Sequence, residues 1–278
     1  MGKKIVFFDI DGTVWNWKFE IPESTKKAIG MLHENGHLAY ICSGRAKGNL
    51  RADSLKELGF DGVVAACGAY VEMNGEIVYE KKVPEDVVKL TADTVSKCKL
   101  PSVLEGSEKH WISDEGFDND DFVATMRKVL KEDAVDFHEY LEGMDINKFA
   151  ADILRCSDYK TVKETLSFYY DFIEHGITPD FDEKTGEGPN EVIGVIEAVP
   201  HGMSKAHGVE MVCERLGIQK DDTYAIGDSV NDIDMLKSVA HSICMGNGAP
   251  AAKAVSSYVT TDIEENGVFN ALKHFDLI

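Results

Sequence analysis

The sequence predicts an α/β protein in which a parallel-sheet core is interrupted by an inserted α+β domain. Strand and helix patterns alternate at both ends of the chain, and this alternation is typical of a parallel sheet covered by helices. The middle of the chain mixes hairpin signals with helical patterns. Polar residues follow several predicted strands, which indicates a ligand site at one edge of the sheet.

The N-terminal part begins with a short apolar run that ends in acidic residues, as a buried strand does. Pro22 stands where a helix can begin, and apolar residues recur after it with helical spacing. The elements predicted here are a strand over Ile5–Phe8, a helix over Pro22–Asn35, a strand over His37–Cys42, a helix over Lys47–Leu58 and a strand over Gly62–Ala66.

The middle part opens on Asn74-Gly75, a hairpin turn signal between strands predicted over Ala69–Met73 and Glu76–Lys81. The elements predicted after it are helices over Glu85–Lys97, Asp120–Lys131 and Tyr159–Phe172, and strands over Ser102–Glu105, His110–Ser113 and Glu191–Val199. This mixture predicts a separate α+β domain over residues 82–199.

The alternation of strand and helix patterns returns after Pro200, where Ser204 can cap a helix that runs to Leu216. The remaining predicted elements are a strand over Thr223–Ile226, a helix over Asn231–Val239, a strand over Ser242–Met245, and helices over Pro250–Ser256 and Glu265–Phe275. Residues 1–81 and 200–278 are therefore predicted to form one Rossmann-like core domain.

Composition narrows the class of protein. The 278 residues fit two domains of ordinary size, and an apolar content of 44% is enough to bury their cores. The net charge of −20 disfavours nonspecific binding to nucleic acid or to an anionic membrane. No apolar run approaches the roughly 20 residues of a membrane helix, and no targeting segment is recognised.

The six cysteines form no C-x-x-C pair and no zinc-ligand pattern. They are interpreted as reduced, mostly buried thiols of a cytoplasmic protein. His110 and His201 show no metal-ligand spacing and are interpreted as surface or loop residues.

Asp9 and Asp11 follow the first strand and are succeeded by Gly12 and Thr13. A turn eased by the glycine lets both carboxylates approach one site, where they suit Mg²⁺ and covalent or proton-transfer catalysis. A solvated acidic turn is the open alternative. A calcium loop is disfavoured because Val14 stands where that loop needs its sharp-turn glycine.

Ser43-Gly44-Arg45 follows the second strand. A hydroxyl and backbone N–H groups at a helix start can bind an anion. An ordinary strand-Ser-Gly turn is the alternative.

Asp228 follows a strand of the C-terminal part and is placed to complete a carboxylate metal site. Asp232 can hold metal waters or a neighbouring cation. A capped helix start, which favours acidic residues, is the alternative and does not exclude function.

Lys205 is a lone cation at a predicted helix start, where the helix dipole disfavours it. Its presence indicates carboxylates or a phosphate opposite. A solvated lysine is the alternative.

Taken in order, D-x-D-G-T, S-G-R, a lysine and G-D-x-x-N-D closely resemble the four motifs of the haloacid dehalogenase superfamily over nearly the whole chain. The sequence is most similar to the Cof-type phosphatases, which insert a large cap between the second and third motifs. The insertion predicted over residues 82–199 lies in that place. The stretches 245–248 and 265–268 also resemble this branch.

The resemblance implies that Asp9 is the nucleophile, Asp11 the general acid and base, and Lys205 the catalytic cation. It implies Mg²⁺ held by Asp9, the Asp11 carbonyl and Asp228, with Asp232 supporting the metal or the lysine. The phosphate-binding residues that it implies are Gly12, Thr13, Ser43, Gly44 and Asn231.

The activity that the resemblance implies is Mg²⁺-dependent hydrolysis of small phosphomonoesters, such as sugar phosphates, through an aspartyl phosphate, with the cap setting specificity. The expected partner is a small phosphorylated substrate, with no nucleic acid or membrane, and the chain is expected to be a monomer or small homo-oligomer. A phosphomutase and a non-catalytic metabolite-binding regulator are the alternatives. Cys67 is a departure, because relatives usually carry Asn there, and it puts the transfer of substrate contacts at that position in doubt.

Overall fold

The computed structural model describes residues 2–113, 116–117, 120–137, 143–177 and 192–278. Two compact units divide these residues. One contains the chain up to Arg45, Leu50–Glu80 and Met203–Ile278, and the other contains Ala46–Asn49 and Lys81–Gly202. None of the described helices is long and apolar enough to cross a lipid bilayer.

Strands and helices alternate along much of the chain. The strands are β1 (Ile5–Phe8), β2 (Leu38–Cys42), β3 (Gly62–Ala65), β4 (Tyr70–Met73), β5 (Glu76–Glu80), β6 (Ser102–Glu105), β7 (His110–Ile112), β8 (Ala134–Asp136), β9 (Lys148–Asp152), β10 (Tyr170–Ile177), β11 (Val192–Pro200), β12 (Thr223–Gly227), β13 (His241–Cys244) and β14 (Tyr258–Val259). The helices are α1 (Glu23–Glu34), α2 (Asp53–Lys56), α3 (Glu85–Lys97), α4 (Asp121–Leu130), α5 (Tyr159–Leu166), α6 (Lys205–Leu216), α7 (Ile233–Ser238), α8 (Pro250–Val255) and α9 (Gly267–His274).

The first unit is built on an eight-stranded sheet in the order β14-β13-β12-β1-β2-β3-β4-β5. Strands β14 to β3 run parallel to their neighbours, and β4 and β5 continue the sheet as an antiparallel hairpin. The predicted α/β class with a parallel-sheet core is confirmed.

Strand β1 lies at the centre of this sheet and is buried on both faces. Val6 and Phe8 join an apolar cluster with residues of α1 and α9, whereas Ile5 and Phe7 join the cluster on the opposite face with residues of α6 and α7. Successive side chains of a strand point to opposite faces. The uninterrupted apolar run of β1 is therefore what a strand with helices on both sides requires.

The second unit contains a six-stranded sheet in the order β10-β11-β9-β6-β7-β8, antiparallel except between β7 and β8. One face packs against α3 and α5 through residues such as Leu104 and Phe149. On the other face, Val103 and Ile112 pack against α4. Each face therefore has its own apolar cluster.

Three predictions were wrong. The helix predicted over Lys47–Leu58 is a 3-10 turn at Lys47–Leu50 followed by the short helix α2. The close approach of Gly48 to the His110 ring fixes the turn, because a Cβ on Gly48 would lie 2.4 Å from Nε2 of that ring. The prediction of His110 as a surface or loop residue also fails, because its side chain is buried on β7.

The helix predicted over Tyr159–Phe172 ends at Leu166, and the chain continues as strand β10 from Tyr170. Tyr170 packs edge-to-face on Phe149, with ring centroids 5.2 Å apart. Pairing with β11 across the chain therefore outweighs the local helical pattern. Glu191, where the prediction began β11, lies outside the described residues.

Gly68 permits α6 to begin close to the sheet. Its φ is +85°, and an added Cβ would lie 2.1 Å from the carbonyl oxygen of Ser204, the residue that caps α6. We expect Gly68→Ala to lower the free energy of unfolding by about 2–4 kcal/mol, from left-handed backbone strain and overpacking. Gly59→Ala is the matched control, since its φ is +69° and no atom lies within 4 Å of the added Cβ.

Urea titration of both variants measures the difference. The control is expected to lose only the backbone term of about 1–2 kcal/mol. Equal losses at Gly59 and Gly68 would show that the contact with Ser204 does not require glycine.

Candidate active site

Three of the predicted site residues follow adjacent parallel strands. Asp9 follows β1, Ser43 follows β2 and Asp228 follows β12, and β1 pairs in parallel with both of the other strands. The Asp9 N–H donates to the carbonyl oxygen of Ile226 at 2.9 Å, which extends the ladder by one residue to Asp9. Because parallel strands end at one edge, their first loop residues gather there.

An acidic cluster lies at this edge. One carboxylate oxygen from each of Asp9, Asp228 and Asp232 lies within 4.8 Å of the others, and all three residues are buried. The strand order β12-β1 therefore brings Asp9 close to Asp228 and Asp232, although they are far apart in the sequence. The Asp11 side chain lies outside this cluster and pairs elsewhere.

Lys205 is the cation of the acidic cluster. Only 2% of the residue is exposed, and its Nζ lies 2.6 Å from Asp9 Oδ1 and 2.5 Å from Asp232 Oδ1. Burial alone would lower the pKa of Lys205, but the carboxylates of Asp232 and Asp9 outweigh burial and hold this pKa well above its ordinary value. The ammonium is therefore charged at neutral pH.

Two of the three carboxylates resist ionisation in this environment. Burial is the main cause that raises the pKa of Asp9 well above its ordinary value, with Asp232 adding repulsion and Lys205 opposing it. Burial, followed by repulsion from Asp232, raises the pKa of Asp228 to about 7. The crowded carboxylates therefore favour an additional positive charge among them.

The donor set fits Mg²⁺. Three carboxylates and one ammonium leave two negative charges when all four groups are ionised, which is the charge that one divalent cation balances. All the side-chain donors are oxygens, and hard cations bind oxygen ligands.

Asp232 is held by backbone donors as well as by Lys205. Its Oδ2 accepts hydrogen bonds from the N–H groups of Asp228 at 2.9 Å and Ser229 at 2.8 Å. With both oxygens engaged, this carboxylate orients the Asp228 turn and the lysine.

Gly12 and Thr13 both lie against Asp228. The φ of Gly12 is +83°, and an added Cβ would lie 2.5 Å from Asp228 Oδ2, so only glycine fits. The Thr13 hydroxyl donates to Asp228 Oδ1 at 3.2 Å. Asn247 was not predicted as a site residue, but its Nδ2 donates to the Gly12 carbonyl at 2.8 Å.

Asp11 forms a two-point ion pair with Arg45, at 2.6 Å from Nε to Oδ2 and 2.8 Å from Nη2 to Oδ1. The guanidinium carbon of Arg45 also lies 5.5 Å from the ring centre of Trp15 and 6.0 Å from that of Phe19. Arg45 belongs to the S-G-R motif, but the motif alone predicts no role for it. Its position two residues after Ser43 was the one feature of the sequence that could have indicated a place in the site.

Ser43 is buried, and its Oγ accepts a hydrogen bond from the Arg45 N–H at 3.2 Å, across Gly44. The turn is closed by Cys67, whose N–H donates to the Ser43 carbonyl at 3.2 Å. Asn231 Oδ1 lies 3.4 Å from the Nζ of Lys205, which places this amide on the lysine.

Cys67 occupies the left-handed region, with φ 52° and ψ 42°. Asn is several times more frequent there than most residues. Cys67 therefore adopts a backbone conformation that an Asn at this position would adopt more readily.

Known proteins resemble the chain over its whole length. The family model described as haloacid dehalogenase-like hydrolase matches residues 6–272. The protein named "Putative phosphatase YkrA" of Bacillus subtilis (strain 168) is 30% identical, with 100% of both chains covered. The 5-amino-6-(5-phospho-D-ribitylamino)uracil phosphatase YcsE of the same organism is 27% identical, covering 99% of this chain and 96% of that protein.

Solved structures give the same result. A hypothetical protein from Geobacillus kaustophilus HTA426 superposes with a TM-score of 0.83 at 29% identity, covering 100% of both chains. The HAD subclass IIB sugar phosphatase BT4131 superposes with a TM-score of 0.78 at 25% identity, covering 99% of this chain and 100% of that one. The resemblance inferred from the motif order is confirmed, and the chain belongs to the haloacid dehalogenase-like hydrolase family.

Proposed function

We propose that the protein is a Mg²⁺-dependent phosphatase that hydrolyses small phosphomonoesters through a phosphoryl group carried on Asp9. The observation that carries the proposal is the buried cluster of three carboxylates around one lysine, whose oxygens are suitable ligands for a divalent cation. Similarity to proteins named as phosphatases supports the reaction class.

In the first step, an Asp9 carboxylate oxygen attacks the phosphorus, and the bond from phosphorus to the leaving oxygen breaks. Asp11 holds a proton on one oxygen and keeps only one of its two Arg45 contacts when it donates that proton to the leaving oxygen, which departs as an alcohol. In the second step, Asp11 removes a proton from water, whose oxygen attacks phosphorus and releases phosphate from Asp9. Both carboxylates thus return to their initial states.

Charge neutralisation is the main demand of phosphoryl transfer. Lys205 Nζ lies 2.6 Å from Asp9 Oδ1 and offsets the repulsion between this carboxylate and a phosphate. Ser43 and the Gly44 N–H would bind phosphoryl oxygens, and Asn231 would orient the lysine. Mg²⁺, held by Asp9, Asp228 and the Asp11 carbonyl, would supply further electrostatic stabilisation when bound.

The proposed substrates are sugar phosphates and similar metabolites, because the structural relative BT4131 is a sugar phosphatase and YcsE acts on a phosphorylated ribityl compound by its name. The inserted segment over residues 82–199 would set the choice among them. The proposed setting is the cytoplasm, as a monomer or small homo-oligomer that does not bind nucleic acid.

Phosphate release from sugar phosphates, nucleotides and cofactor phosphates tests the proposal directly. Release should require Mg²⁺ and stop with EDTA. Isomerisation of a hexose phosphate without release would instead show a phosphomutase, and no Mg²⁺-dependent turnover of any ester would favour a non-catalytic regulator.

Arg45 is proposed to position Asp11. Arg45→Lys removes the two-point geometry while it keeps the charge. We expect kcat to fall about 10- to 100-fold for alkyl phosphates, because their leaving oxygen needs the proton of Asp11. The loss should be much smaller for p-nitrophenyl phosphate, whose leaving group needs no proton.

Arg215→Lys is the matched control, since Arg215 is exposed and donates to the Val78 carbonyl. Its rates should equal those of the wild type. Equal losses on both classes of ester in Arg45→Lys would contradict a role through Asp11.

A further inference from the structure

Asn247 joins two loops of the first unit that are far apart in the sequence. It is half-buried in the turn between β13 and α8. Its Nδ2 donates to the Gly12 carbonyl at 2.8 Å, and its Oδ1 accepts a hydrogen bond from the Ile263 N–H at 3.0 Å. Because both ends of one short amide are engaged, the Gly12 peptide is tied to the C-terminal part of the unit.

The Gly12 peptide in turn supports the side chain of Asp228. A Cβ on Gly12 would lie 2.5 Å from Asp228 Oδ2, so the backbone here lies directly against that oxygen. The next residue, Thr13, donates its hydroxyl proton to Asp228 Oδ1 at 3.2 Å. The segment formed by Gly12 and Thr13 therefore contacts both oxygens of this carboxylate, and a shift of the segment would turn it.

The turn that carries Asn247 also holds the backbone of Asp228. The Ala249 N–H donates to the Asp228 carbonyl at 2.7 Å. A Cβ on Gly248 would lie 2.9 Å from the same carbonyl oxygen, so the turn packs closely on it. One turn thus fixes the backbone of Asp228 directly and its carboxylate through the Gly12 peptide.

Asp9 is held by different contacts. Its N–H donates to the Ile226 carbonyl at 2.9 Å, and its Oδ1 lies 2.6 Å from the Nζ of Lys205. Neither contact uses the turn that carries Asn247. Loss of the Asn247 amide should therefore disturb the proposed metal ligand Asp228 more than the proposed nucleophile.

We infer that Asn247 is a positioning residue that sets the affinity of the site for Mg²⁺, by holding Gly12 and Thr13 against the Asp228 carboxylate. This inference rests on the proposed function, in which Asp228 is a ligand of Mg²⁺. Residues that orient metal ligands usually change metal affinity about 10- to 100-fold when they are substituted.

Calorimetric titration with Mg²⁺ tests the inference without any substrate. Asn247→Ala should raise the Kd for Mg²⁺ about 10- to 100-fold. The titration gives the stoichiometry and the Kd separately, so unfolded protein would lower the first and leave the second unchanged. The Mg²⁺ concentration that half-saturates turnover should rise by the same factor, whereas most of kcat should return at saturating Mg²⁺.

Asn35→Ala is the matched control. Asn35 also joins distant parts of the first unit through one amide, because its Nδ2 donates to the Leu277 carbonyl at 2.9 Å, and it lies outside the acidic cluster. Its Kd for Mg²⁺ should equal that of the wild type. Equal weakening in both variants would show a general effect of lost loop contacts and would overturn the inference.

A double substitution tests the route through Thr13. Thr13→Val removes the hydroxyl that contacts Asp228. If Asn247 acts through the same segment, the two substitutions together should raise the Kd by clearly less than the product of their separate effects. A rise equal to that product would contradict the route. Asn247→Ser, which is too short to join both loops, carries the test if Asn247→Ala does not fold.

The outcomes separate this inference from the proposed function. Unchanged Mg²⁺ affinity in a folded Asn247→Ala variant would overturn the positioning role and leave the phosphatase intact. The expected loss of affinity in a protein that hydrolyses no ester would support the positioning role and remove the phosphatase. A wild type that binds no Mg²⁺ would remove both.

Discussion

Asp9→Asn is expected to lower kcat by about 10⁴-fold or more, because the amide cannot serve as the attacking oxygen. Asn has nearly the size of Asp, so the buried site should keep its shape. Phosphate release from the substrate that the wild type cleaves best is the measurement. A residual rate within tenfold of the wild type would exclude Asp9 as the nucleophile.

The same variant should be more stable than the wild type when metal is absent. The raised pKa of Asp9 means that its ionised form is less favourable in the folded protein than in the unfolded chain. At pH 7, above the ordinary pKa of Asp, a neutral side chain removes this destabilisation. Thermal unfolding in EDTA should therefore show a higher Tm, whereas the exposed control Asp53→Asn should show little change.

Lys205→Met is expected to lower kcat about 10²- to 10³-fold, the usual loss for an electrostatic stabiliser. The methionine fills similar space without the charge that faces Asp9 and Asp232. Removing one partner of a buried ion pair costs about 3–5 kcal/mol, so Tm in EDTA should fall. The two variants thus shift stability in opposite directions although both lose activity.

A double substitution separates charge from packing. Adding Asp232→Asn to Lys205→Met removes one of the uncompensated carboxylates and should recover part of the lost Tm, but not the activity. Lys237→Met, at an exposed position in α7, is the control for both readouts. Unchanged kcat in Lys205→Met, or no recovery of Tm in the double variant, would contradict the electrostatic role of the lysine.

Much of the core could be predicted because β1 carries its own signal. Ile5–Phe8 is apolar at every position, which fits only a strand covered on both faces, and Asp9 follows at its end. The turns at Ser43 and Asp228 follow their strands in the same way. Parallel order then brings together Asp9, Asp228 and Lys205, which are distant in sequence.

Contacts between distant segments could not be predicted. The ion pair of Arg45 with Asp11 depends on β1 and β2 lying side by side, and the sequence around either residue does not predict it. Local pattern also failed where tertiary pairing decides the outcome, as at Tyr170, which looked helical and lies in β10. The burial of His110 could not be predicted either, because the alternation of residues over its short strand does not show that this face of the sheet is covered.

Trapping of the phosphoryl group tests the central claim most directly. Asp11→Asn should slow attack by water while p-nitrophenol still leaves, so mixing this variant with p-nitrophenyl phosphate and Mg²⁺ should release one p-nitrophenol per active site in a burst. Borohydride reduction of the quenched protein should convert Asp9 to homoserine, identified by peptide mass. A reduced or phosphorylated residue elsewhere, or turnover with Asp9 never modified, would contradict the account.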